Sequence, residues 1–134
     1  MQIFSFKSKI LIYSDVESRL SSIVNELNPG KIFVLTDDNT RQYCLPHLGR
    51  LLDKEKMYVL GMGQGESVKI IDSVLEIWNF LQKHGADRDS LMINLGGGML
   101  LDVGGFAAST FKRGMKFVNI PTTLLSMVDA SVGG

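Results

Sequence analysis

The sequence predicts an α/β domain, a parallel-rich sheet with helices on both faces in the Rossmann-like nucleotide-binding manner. Three observations lead there. Strand-like and helix-like stretches alternate along the chain. The stretches Ile32 to Leu35, Met57 to Leu60 and Leu91 to Leu95 are continuously apolar, as expected of strands buried on both faces. The last of them runs straight into Gly96-Gly97-Gly98 and a helix-like segment. Strand, glycine turn and helix in that order let backbone N–H groups approach a phosphate.

The 134 residues make one domain's worth of chain, long enough to bury about two thirds of its unfolded surface. Hydrophobic residues are 45% and charged residues 21%, which suits a soluble globular protein. The formal net charge is zero, so no excess charge draws the chain to nucleic acid or to a membrane surface. A single cysteine, Cys44, forms no intrachain disulfide and fits a reducing cytoplasm. Met1 to Ser14 lacks the apolar core of a signal peptide, and no run reaches the roughly 18 apolar residues of a membrane span. The apolar run Leu124 to Val128 shortly before Gly133-Gly134 reads as a domain cut from a longer protein.

Ile3 to Phe6 and Ile10 to Tyr13 read as two short strands. Ser14 with Glu17 makes a capping box. Val16, Leu20, Ile23, Val24 and Leu27 share one helical stripe, which Asn28-Pro29-Gly30 ends. After the strand Ile32 to Leu35 comes Thr36-Asp37-Asp38-Asn39, at the strand end where open α/β sheets bind ligands. There a carboxylate can accept from ribose hydroxyls, or Asp37 or Asp38 can simply cap a helix over Thr40 to Leu52. Pro46 should delay or kink that helix.

Met57 to Leu60 leads into Gly61-Met62-Gly63-Gln64-Gly65, whose third glycine comes one residue early for G-x-G-x-x-G. Glu66 and Lys69, three apart on one helical face, open the next helix and can be an ordinary exposed pair. Ile70, Ile71, Val74, Leu75, Ile77, Trp78 and Leu81 give that helix a broad apolar core face, with no ligand role for Trp78. His47 and His84 are too isolated for a metal site and are expected to be solvated.

In the last third, Gly96, Gly97 and Gly98 present no Cβ to a pyrophosphate; the alternative is a close strand–helix packing contact. Asp102 lies among Met99 to Leu101 and Val103. An unpaired carboxylate there would be costly, so a ligand hydroxyl or a backbone partner is expected. Gly104, Gly105 and Ala107 to Ser109 keep the helix thin. Arg113-Gly114 marks its C-terminus, where a cation suits the helix dipole. Thr122 and Thr123, after Pro121, can offer hydroxyls and N–H groups or cap a helix. Asp129 by itself is a solvated carboxylate.

The full order GGG-x-x-x-D-x-x-G-F-x-A-x-x-x-x-R-G, then P-T-T-L-L, then V-D-x-S-V-G-G, is far more specific than its parts. It resembles the N-terminal domain of 3-dehydroquinate synthase, most densely over Gly96 to Gly134 and more thinly back to about Leu35. The resemblance implies the dehydroquinate synthase-like fold and NAD as cofactor. The implied NAD contacts are Asp37 and Asn39 at the adenosine end, Glu66 and Lys69, then Gly97, Gly98, Met99 and Asp102, with Thr122, Thr123 and Leu125. It implies Arg113 at the phosphate of a small sugar-phosphate substrate, with reach to a neighbouring subunit, and Asp129 at substrate hydroxyls.

The resemblance also implies zinc, or another divalent metal, whose Glu and two His ligands belong to a C-terminal domain outside this chain. It further implies a homodimer and the shikimate pathway. The polypeptide alone is expected to be inactive. Two other readings stay open: the N-terminal domain of a polyol or iron-containing alcohol dehydrogenase, which shares a Gly-Gly-Gly-x-x-x-Asp turn, and a nucleotide-binding module without chemistry of its own.

Overall fold

The structure, a computed structural model, describes residues 2–6, 9–13, 16–63 and 70–122. In chain order the elements are β1 (Gln2–Phe6), β2 (Lys9–Tyr13), α1 (Val16–Leu27), β3 (Ile32–Thr36), α2 (Asp38–Tyr43), α3 (Leu45–Gly49), β4 (Met57–Gly61), α4 (Ile70–Lys83), β5 (Leu91–Gly96), α5 (Gly98–Thr110) and β6 (Lys116–Pro121). The six strands form one sheet in the order β2-β1-β6-β5-β3-β4. β6, β5, β3 and β4 are mutually parallel, and the β1–β2 hairpin joins the β6 side antiparallel. The parallel-rich sheet read from the sequence is therefore present.

The continuous apolar strands do what their pattern requires and bury both faces. Phe33, Leu35 and Met92 point to one face, where Val74, Ile77 and Leu81 of α4 and Val103, Ala107 and Ala108 of α5 cover them. Ile32, Val34, Leu91, Ile93 and Leu95 point to the other, against Leu20 and Ile23 of α1 and Leu48 and Leu52 beyond α2. The face carrying a crossover thus changes between β3, which continues into α2, and β5, which continues into α5. This reversal is the topological switch point at which open α/β sheets bind ligands.

Several local expectations are corrected. The single helix expected over Thr40 to Leu52 begins earlier, at Asp38, and divides at Cys44 into α2 and α3. Pro46 has no N–H to give the carbonyl of Gln42, so the ladder cannot continue through it. Cys44 closes α2 through its N–H to the Thr40 carbonyl (2.9 Å) and accepts from the Leu48 N–H (3.2 Å) as the start of α3.

On α4 the core stripe is Val74, Ile77 and Leu81 with half-buried Trp78. Ile70, Ile71 and Leu75 are exposed, because seven apolar residues span more of the helix than one sheet can cover. His84 is not solvated. Its ring is half-buried between Tyr58 and Phe80, at 4.8 Å from each ring centroid. His47 is exposed and pairs with Arg50. The Ser14 cap expected for α1 lies outside the described residues.

α4 stops at Gly85, whose φ of 71° is the left-handed conformation that closes helices. The Ala86 N–H then reaches back to the Leu81 carbonyl (2.9 Å). Trp78 donates from Nε1 to the Ala107 carbonyl (3.1 Å). That bond ties α4 to α5 and accounts for this tryptophan without a ligand.

Candidate functional site

The parallel register aligns the four strand ends: Thr36 with Gly61 and Leu95, and Gly96 with Pro121. The segments after β3, β5 and β6 therefore leave from one edge of the sheet. Asp37, Asn39, Gly97, Gly98, Met99, Asp102 and Thr122 sit on those segments, so the fold gathers on one edge residues scattered over 86 positions of sequence, from 37 to 122. Glu66, Lys69, Thr123, Leu125 and Asp129 lie outside the described residues.

The centre of this edge is the start of α5. β5 ends at Gly96, and Gly97, extended at φ −87°, is the N-cap; it has no side chain to bond the first turn. None of the three glycines has positive φ. The reason for glycine at Gly96 is closeness: a Cβ there would stand 3.1 Å from Leu100 Cδ1 and 3.3 Å from Asp37 Oδ2. This is the close packing contact that stands as the alternative to a ligand role. α5 runs 13 residues, and its first-turn N–H groups carry the positive end of the helix dipole with no side-chain acceptor of its own.

Asp37 does cap a helix. Its Oδ1 accepts from the Thr40 N–H (2.8 Å), and its own N–H donates to Thr40 Oγ1 (3.0 Å). Thr40 Oγ1 also donates to the Leu95 carbonyl (2.9 Å), which fastens α2 across the switch point to β5. The other carboxylate oxygen, Oδ2, is the one turned toward Gly96. Asp37 is half-buried and Asn39 exposed at the second position of α2. One carboxylate thus holds its helix with one oxygen and presents the other to the edge.

Asp102 is exposed on α5. This corrects the expectation of a buried carboxylate in need of a partner. Its apolar sequence neighbours Leu101 and Val103 turn inward, while Asp102 falls on the outer side of the helix. Met99 is also exposed, at 48%. Thr122 is half-buried and its N–H donates to the Gly96 carbonyl (3.0 Å), which places it directly beside the glycine turn.

Arg113 is not part of this cluster. It follows the C-terminus of α5, exposed, in a turn where Lys112 and Arg113 have φ of 43° and 72°. The 13 residues of α5 at 1.5 Å each put it about 20 Å from the glycine turn.

The sequence reading missed the residues that hold the site together. Thr40, the bridge to β5, was legible only as the fourth residue of an Asp-x-x-Thr box. Asn94 and Asn119 are buried and paired across β5 and β6, with Asn94 Nδ2 donating to Asn119 Oδ1 (2.9 Å). Their one sequence signal was a polar residue inside an apolar strand. Burial pushes the Cys44 thiol above its ordinary range, and the charge of Asp37 adds to that. Among the described residues no three His, Cys, Asp or Glu side chains converge to hold a metal ion. No helix among them is long and apolar enough to cross a membrane.

Residues 59–134 match the family model described as 3-dehydroquinate synthase N-terminal. A 3-dehydroquinate synthase of Parabacteroides distasonis is 44% identical over 96% of this chain, and one of Pyrococcus abyssi 44% identical over 92%. The chain spans 36% and 37% of the length of those two relatives. Among solved structures, a 2-deoxy-scyllo-inosose synthase complexed with carbaglucose-6-phosphate, NAD+ and Co2+ superposes with a TM-score of 0.72 at 23% identity. A 2-epi-5-epi-valiolone synthase from Streptomyces hygroscopicus with NAD+ and Zn2+ bound gives 0.71 at 25% identity. These cover 94% and 90% of this chain, and 36% and 34% of their own. The first shows a shared fold.

Proposed function

The chain belongs to the 3-dehydroquinate synthase N-terminal family, and from that premise we propose that it is the NAD-binding part of a 3-dehydroquinate synthase. The whole enzyme would convert 3-deoxy-arabino-heptulosonate 7-phosphate to 3-dehydroquinate and phosphate in the shikimate pathway. The observation that carries the reading is the start of α5, which opens with no side-chain cap at the switch point, beside the Asp37 carboxylate. Backbone N–H groups from Gly98 onward receive the pyrophosphate. Asp37 Oδ2 accepts from an adenosine ribose hydroxyl, with Asn39 beside it. Asp102, one turn along α5, faces the nicotinamide half, and Thr122 closes the edge next to Gly96. NAD, when bound, supplies a transient oxidation of a ring hydroxyl that acidifies the neighbouring C–H.

The divalent metal, zinc by family resemblance, would be held by a C-terminal domain. Glu66, Lys69, Thr123 and Leu125 complete the nucleotide contacts, and Asp129 meets substrate hydroxyls. Arg113, exposed beyond the end of α5, meets the substrate phosphate, with reach to the neighbouring subunit of a homodimer. The single cysteine and neutral charge suit a cytoplasmic enzyme.

Calorimetric titration of the complete enzyme with NAD, paired with an assay of phosphate release from the heptulosonate phosphate, tests the reading. Saturable NAD binding and phosphate release without net NADH are expected. Accumulating NADH with a polyol substrate would favour the dehydrogenase reading, and NAD binding without turnover the bare nucleotide-binding module. The 134-residue polypeptide alone should release no phosphate. Turnover by it would overturn the division of labour.

A further inference from the structure

We infer that the buried Asn94–Asn119 amide pair, with Gly104 resting on it, is a positioning device that holds the glycine turn and the Pro121-Thr122 strand end at a fixed spacing. The inference rests on the cofactor reading above. Asn94 and Asn119 are direct partners in the parallel register of β5 and β6. Each lies two residues before the end of its strand, beneath Gly96 on one side and Pro121 on the other. They are 0% and 6% exposed, and Asn94 Nδ2 donates to Asn119 Oδ1 at 2.9 Å.

α5 lies directly on this pair. A Cβ added at Gly104 would overlap the Asn94 carboxamide. The helix that begins at the cofactor turn is therefore set at its height above the sheet by a side chain that only glycine accommodates.

Stability alone does not account for the arrangement. Asn94 Oδ1 is buried with no hydrogen-bond partner among the described residues. Two apolar side chains of similar volume would fill the space with no acceptor left unmet. Apolar neighbours tolerate small slides, whereas an amide–amide bond holds only over a narrow range of distance and angle. The ends it fixes are the two that must stay in step: Thr122 donates to the Gly96 carbonyl at 3.0 Å just above it. Asn94 and Asn119 touch no ligand in this scheme and act through the glycine turn and the β6 end.

The test uses the complete synthase with Gly104→Ala, Asn94→Ala and the double variant, read by melting temperature and by NAD titration. Gly104→Ala alone should lower Tm by about 2 °C or more through overpacking. Removing the Asn94 amide makes room for the new methyl but takes the donor from Asn119 Oδ1, so the double variant should melt within about 1 °C of Asn94→Ala alone. That double variant should still bind NAD at least about fivefold more weakly than the unmodified protein, the readout a merely structural role would not move. A Gly104→Ala protein with unchanged Tm, or a double variant melting well below Asn94→Ala, would overturn the packing on which the device depends. A double variant that melts with Asn94→Ala but keeps its NAD affinity would leave a stabilising pair and sink the positioning role. If the unmodified enzyme binds no NAD, the function proposed above falls and the positioning role falls with it.

Discussion

Asp37 offers the sharpest separation of structural from ligand-binding work, because its two oxygens do different things. Oδ1 accepts from the Thr40 N–H at 2.8 Å, and Oδ2 faces the glycine turn. Asp37→Ala removes both. Loss of an N-cap costs about 1 kcal/mol, within a range of roughly 0.5–2, which in an enzyme of the length of its relatives lowers Tm by about 1–2 °C. Asp37→Asn keeps an oxygen for Thr40, and asparagine caps as well as aspartate, so its Tm should stay within about 0.5 °C of the unmodified protein. It nevertheless replaces a charged acceptor by a neutral one at the proposed ribose contact. Hydrogen bonds to charged groups exceed neutral ones by about 1 kcal/mol, which is roughly a fivefold to tenfold loss of NAD affinity. Differential scanning fluorimetry and calorimetric titration of both variants in the complete enzyme give the two numbers independently. If Asp37→Asn binds NAD within twofold of the unmodified enzyme, Asp37 is a cap and nothing more.

Two further predictions follow from the geometry. The Cys44 thiol is held above its ordinary range, first by burial and then by Asp37, so its thiolate is scarce at neutral pH. Alkylation by iodoacetamide should be slower than for an unfolded control, should rise as pH climbs through the raised value, and should be faster at a given alkaline pH in Asp37→Asn. Equal rates in the folded and unfolded chain would refute this. Trp78→Phe keeps most of the apolar contact but loses the Nε1 bond to Ala107, leaving that carbonyl with only the long 3.4 Å bond from Thr110 Oγ1. It should cost about 1 kcal/mol by urea denaturation, with NAD affinity unchanged because α4 only backs α5.

The sequence by itself determined the fold class, because continuous apolar strands alternating with helices bury their side chains only between two helical layers. Ile32 to Leu35 and Leu91 to Leu95 show this: successive residues fill opposite cores. It supplied the parts of the candidate site as local motifs, since a glycine turn after a strand and an Asp at a helix start are written in neighbouring residues. Tertiary structure alone decided how these motifs combine. Which strand neighbours β5, and so which turn meets Gly96, depends on pairings between residues far apart in the chain. The sequence has no local term for such pairings. The same holds for the outward turn of Asp102, the aromatic burial of His84 and the exposure of Ile70 and Ile71. Each depends on what lies opposite, and only the packed sheet supplies that. Asn94 is the clearest case: in sequence it is one polar residue in an apolar strand, and its purpose appears only when Asn119 and Gly104, 25 and 10 residues away, close around it.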